Sequence, residues 1–95
     1  MIGTVAQVER TSWGWQIAIQ IEAAETIRSG VPVELTLIQT AAGEAVRDST
    51  PLRGILHVFM ERVVVAEVRS SPTSAGARRL KQGDVVDLNT SDPRA

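Results

Sequence analysis

Two stretches of this chain repeat the same order of residues at one constant spacing. Ala24, Ile27, Arg28, Gly30, Val33, Glu34 and Leu35 are matched, each 53 positions further on, by Ala77, Leu80, Lys81, Gly83, Val86, Asp87 and Leu88. An alanine, an aliphatic residue, a base, a glycine, a valine, an acid and a leucine therefore recur in register. Physically, the pattern describes a short helix that stops on glycine and reverses into a strand. Glycine accepts the positive φ that ends a helix, and a base in the last turn suits the helix C-terminus. Two strand-like runs precede each stretch, so the halves share one order: strand, strand, short helix, glycine, strand. Repetition of this kind marks a duplicated supersecondary unit.

The strand readings rest on a period of two. In the run from Trp13 to Ile21, the residues Trp13, Trp15, Ile17, Ile19 and Ile21 fall on one face, with Gly14, Gln16, Ala18 and Gln20 on the other. Gly3 to Arg10 and Val31 to Ile38 complete the first unit, around a helix of one or two turns within Glu22 to Ser29. The second unit has strands at Gly54 to Met60 and Val63 to Val68, then a helix capped by Thr73 or Ser74 and running to Lys81. Its last strand covers Asp84 to Leu88. The pattern predicts one domain: a first unit over 3–39, a connector over 40–53, a second unit over 54–88 and a flexible tail over 89–95. A chain of 95 residues is the size of a single domain with a thin core. Trp13, Trp15 and Phe59 are its only aromatics, so the core must come from Val, Ile and Leu, which suit a pleated surface. The expected fold class is mainly β: a small pseudo-two-fold β-barrel built from two strand–strand–short helix–strand units, with an OB-like barrel as the alternative. Closure removes the exposed edges that six short strands would otherwise leave.

The run from Leu80 to Leu88, with Gly83-Asp84 ahead of Val85-Val86, resembles the GD box of the cradle-loop barrels, the group holding double-psi and related six-stranded barrels. That resemblance implies two halves interlocked about a pseudo-two-fold axis. The first unit departs from it, because Val31 follows Gly30 where the box has aspartate. Cradle-loop barrels include self-processing decarboxylases cleaved at a Gly-Ser bond, and this chain has no Gly-Ser dipeptide.

Ten basic and eleven acidic residues leave a net charge of -1, which argues against a chain-wide grip on nucleic acid or anionic membrane. With no cysteine there is no disulfide, thiolate nucleophile or Cys-ligated zinc. No phosphate-binding glycine loop and no Gly-x-Ser-x-Gly elbow are present, so no catalytic residue, metal or cofactor is assigned and the reading leans away from an enzyme. His57, the sole histidine, reads first as structural or exposed; a ligand or enzyme site around it ranks last. The stretch Met1 to Val5 carries no leader features and no apolar run is long enough for a bilayer, which sets the expectation of a cytoplasmic protein without a membrane partner.

Two constellations stand as candidate binding residues. Trp13 and Trp15 form either core packing or a stacking platform. Arg78, Arg79 and Lys81 make a basic cluster where the first unit has Glu25, Thr26 and Arg28, either a solvated face or a contact for an acidic partner. Val63 to Val68 is apolar on both faces, which favours self-association and, at a remaining edge, pairing with a second copy. The leading expectation is a non-enzymatic interaction or assembly module binding a protein partner or itself. A nucleic-acid-binding small barrel is the alternative.

Overall fold

Strand-forming runs account for nearly all the regular structure. The computed structural model describes residues 1–22, 28–47, 51–69 and 80–90. It holds β1 (Ile2–Arg10), β2 (Gly14–Gln20), β3 (Val31–Gln39), β4 (Leu52–Met60), β5 (Val63–Arg69) and β6 (Val85–Thr90). These close into a barrel in the order β1-β2-β5-β4-β3-β6, with β6 returning to β1. Every pairing is antiparallel.

Tight turns make the local pairs. Thr11 joins β1 to β2: its amide donates to the Gly14 carbonyl at 2.8 Å, and its Oγ1 accepts from the Gly14 amide at 3.1 Å. Glu61 and Arg62 alone separate the paired residues Met60 and Val63 at the β4–β5 turn. The connections over 21–30 and 70–84 link strands that are not neighbours, whereas the one over 40–51 joins the paired β3 and β4. β3 leaves β2 and lies between β4 and β6, so β6, β3, β4 and β5 have the Greek-key order.

Alternation decides the interior. Trp15, Ile17, Ile19 and Ile21 of the β2 run, Val64, Ala66 and Val68 of β5, Leu52 and Leu56 of β4, Val33 and Leu35 of β3, and Val86 and Leu88 of β6 are all buried. Across β2–β5, Ile17 stands opposite Ala66, and Trp15 opposite Val68. Large side chains thus face small ones, the arrangement that fills a narrow barrel without voids.

Gly30 and Gly83 both turn with positive φ, 87° and 96°, just ahead of β3 and β6. Their amides extend the ladders to the neighbouring strands: Gly30 donates to the Leu56 carbonyl of β4 at 2.7 Å, and Gly83 to the Val5 carbonyl of β1 at 2.8 Å. Beside Gly83, Asp84 is buried, with a relative exposure of 4%. Its Oδ1 accepts from the Ala41 amide at 2.8 Å and its Oδ2 from the Lys81 amide at 2.9 Å. A buried carboxylate needs such donors, and here they tie the loop after β3 to the entry of β6.

Several expectations change. The six strands match in order, but β4 begins at Leu52, two residues into the expected connector, and β6 runs on to Thr90. The described part of the 40–53 connector before β4 has a turn at Thr40 to Gly43, with Ala45 bridging back to Gln39. No helix occurs among the described residues; the short helices expected within 22–29 and 73–81 fall mostly outside them. Each of the six strands has a neighbour on both sides, so the sheet edge expected to pair with a second copy is used up by closure.

Candidate functional site

The outer wall divides into two unlike regions. On the β3–β4 side, Glu34 and Arg53 stand directly opposite each other and their side chains meet at 3.2 Å. On the β1–β2–β5–β4 side outward apolar residues lie among polar and charged ones, Glu9, His57 and Glu67 included. Ala18 of β2, Val63 and Val65 of β5, and Ile55 and Phe59 of β4 lie there, with Met60 beside them. Of the six large apolar side chains exposed among the described residues, three belong to β4: Ile55, Phe59 and Met60. Phe59 is the most open at 65%.

Two irregularities give this wall relief. The β1–β2 register shifts between Val5 and Gln7, and the β4–β5 register shifts between Val58 and Met60, leaving Ala6 and Phe59 as extra residues. Such bulges bend a strand and re-aim its side chains. Between them runs a groove of about 360 Å³. Ala18, Gln16, Val63 and Val65 form its floor, with Ala6, Gln7 and Glu9 on the β1 side and Phe59 on the β4 side. Glu9 is its one charged lining residue, and no described cation lies within ion-pair distance of it.

The residues singled out in the sequence are placed apart from one another. Trp15 is 5% exposed, a core residue, with the Arg10 guanidinium 5.9 Å from its ring centroid. Trp13, at the β1–β2 turn, is 41% exposed, so the two indoles do not share one environment. Lys81 is exposed in the turn before β6, while Arg78 and Arg79 lie outside the described residues. His57 is half-exposed on the outer wall, its Nε2 3.4 Å from Glu67 Oε2, and it does not line the groove. Val63 to Val68 splits by face: Val64, Ala66 and Val68 enter the core, whereas Val63 and Val65 face the groove.

Among the described residues no group of three His, Asp or Glu side chains could hold a metal ion, and no helix is long and apolar enough to cross a membrane. Sequence reasoning missed Phe59, Glu9, Gln7 and Gln16. One signal was available: Val5 and Val8 are apolar three positions apart, a spacing that cannot share a face of a regular strand. The bulge at Ala6 reconciles them, letting Val8 pack against the core while Gln7 and Glu9 turn outward. No protein-family model, curated protein or solved structure matches the chain.

Proposed function

We propose that this barrel is a non-enzymatic interaction module that presents its β1–β2–β5–β4 wall to a protein partner. The observation that carries the reading is exposed Phe59 and Met60 beside Val63 and Val65, with exposed Ile55 further along β4 opposite Glu67. An apolar patch of this kind on a small closed barrel marks a contact surface. The adjoining β3–β4 face carries the Glu34–Arg53 ion pair instead.

We read the scaffold as two interlocked copies of one unit, as the GD-box resemblance implies. The pairings support this. Ile2, Gly3 and Thr4 of β1 face Asp87, Val86 and Val85, just as Arg53, Gly54 and Ile55 of β4 face Glu34, Val33 and Pro32. The bonds from Gly30 to Leu56 and from Gly83 to Val5 correspond in the same way. On this reading Ala18 and Val65, paired across β2–β5, sit at the dyad, and the groove straddles it. The two copies diverge there: one wall carries Gln7 and Glu9, the other Phe59.

The test is site-specific photo-crosslinking in the native cells. A photoreactive residue at Phe59 is expected to trap a protein, another copy included, whereas one at Thr36, on the outer face of β3, is not. Equal or absent adducts at both positions would remove the reading. Exposed Trp13 favours a second reading, a nucleic-acid contact, and salt-sensitive binding of single-stranded DNA lost in Trp13→Ala is its signature.

A further inference from the structure

The groove is small. Eight residues line it, against roughly 20–30 residues a side in a stable protein–protein interface. Its volume of about 360 Å³ matches the lower end of ligand clefts, which span roughly 300–1,000 Å³. That is room for one or two side chains of an incoming segment, not for the face of a folded domain or a second barrel.

The lining sets what the segment must carry. Ala18, Val63, Val65 and Phe59 give an apolar floor and side, which reward a branched aliphatic side chain. Gln7 and Gln16 carry primary amides, each with donors and an acceptor, the same complement as a peptide group. Both are anchored on paired strands: Gln7 stands opposite Ala18, and Glu9 opposite Gln16. Glu9 then places one negative charge on the β1 side, with no described cation at ion-pair distance.

From this lining we infer that the groove binds a short extended peptide segment bearing an aliphatic side chain for the floor and a lysine or arginine for Glu9. This rests on the outer-wall reading above and adds the chemistry of the occupant. The aliphatic group enters between Phe59 and the β2–β5 floor, the peptide groups meet Gln7 and Gln16, and the cation lies along β1.

The test is selection of a displayed library of random dodecapeptides on the full-length chain, followed by fluorescence anisotropy on the most enriched sequence. Enriched peptides are expected to combine Leu, Ile, Val or Met with Lys or Arg. Glu9→Gln should weaken that peptide about fivefold, the scale of one partly exposed ion pair. Glu9→Lys should weaken it further and, used as bait, select acidic peptides instead. Phe59→Ser should weaken binding while keeping the preference for basic peptides, and His57→Ala should leave it unchanged. Thermal unfolding of each variant identifies one that has lost its fold, and Glu9→Gln serves if Glu9→Lys is such a case. No enrichment, enrichment of acidic peptides, or a Kd indifferent to both Glu9 variants would overturn the inference. If crosslinks form at Phe59 while selection yields no basic apolar peptides, the occupant is wrong and the wall reading survives. If Phe59 traps nothing either, both fall.

Discussion

Replacing Asp84 tests the one buried charged side chain among the described residues. Its carboxylate accepts two backbone amides, from Ala41 at 2.8 Å and Lys81 at 2.9 Å, at a residue exposed by only 4%. Asp84→Ala removes both acceptors at once and leaves two N–H groups turned toward a methyl group. Hydrogen bonds to a charged group contribute about 1.5–3 kcal/mol each. Both bonds are only part-buried, so water recovers some of the loss. The expected destabilisation is therefore about 2–4 kcal/mol. Against a total stability of roughly 5–15 kcal/mol, that is a large share. It corresponds to a fall in Tm of roughly 10–20 °C for a domain of this size. Asp84→Asn keeps one acceptor oxygen but turns an amide donor toward the second N–H, so it should fall between wild type and Asp84→Ala. Urea unfolding followed by circular dichroism measures the series, with Thr36→Ala on the outer face of β3 as a surface control. A loss below about 0.5 kcal/mol for Asp84→Ala, no larger than an ordinary surface change, would refute the clamp.

Three further outcomes follow from the same geometry. Gly30→Ala and Gly83→Ala both force alanine into a positive φ, at a cost of about 1–3 kcal/mol each; Gly83→Ala should be the worse by denaturant midpoint, because its Cβ would press on Ala41 at 3.1 Å while Gly30 has open space. Arg10→Ala should cost about 0.5–1 kcal/mol by loss of the cation over Trp15, and Arg10→Lys should retain part of it in thermal unfolding. Phe59→Ser should shift stability by less than about 0.5 kcal/mol, because the ring is 65% exposed, while weakening any partner contact read by crosslinking from a neighbouring position such as Val65.

The barrel was legible where alternation is strict and opaque where it breaks. Trp15, Ile17 and Ile19 announce β2 because each second residue must face the core, and the structure buries all three. Val64, Ala66 and Val68 follow the same rule, while the apolar Val63 and Val65 of the opposite face line the groove. The groove itself was hidden. It depends on one extra residue in each of two strands, and neither Ala6 nor Phe59 is a residue type that marks a bulge. The Asp84 clamp was half visible: Gly83-Asp84 stood out, but its partner Ala41 lies 43 positions away in a connector with no pattern. Trp13 and Trp15 looked equivalent by period, yet Trp13 sits in the turn, before the strand geometry that buries Trp15 begins.

The seam of the barrel has a consequence for how the chain is made. β6 fits between β3 and β1, and the β1–β6 ladder joins only Ile2, Gly3 and Thr4 to Val85, Val86 and Asp87. A nascent chain emerging from the ribosome can form the β1–β2 and β4–β5 hairpins early, but β1 and β3 each wait with an open flank until β6 appears. The barrel therefore stays open until the segment synthesised last of the six strands arrives, and the waiting flanks are sticky in the meantime. Topologies dominated by distant partners also fold slowly. A stall or truncation before Val85 should leave a species that recruits chaperones or aggregates, even though five of its six strands are already present.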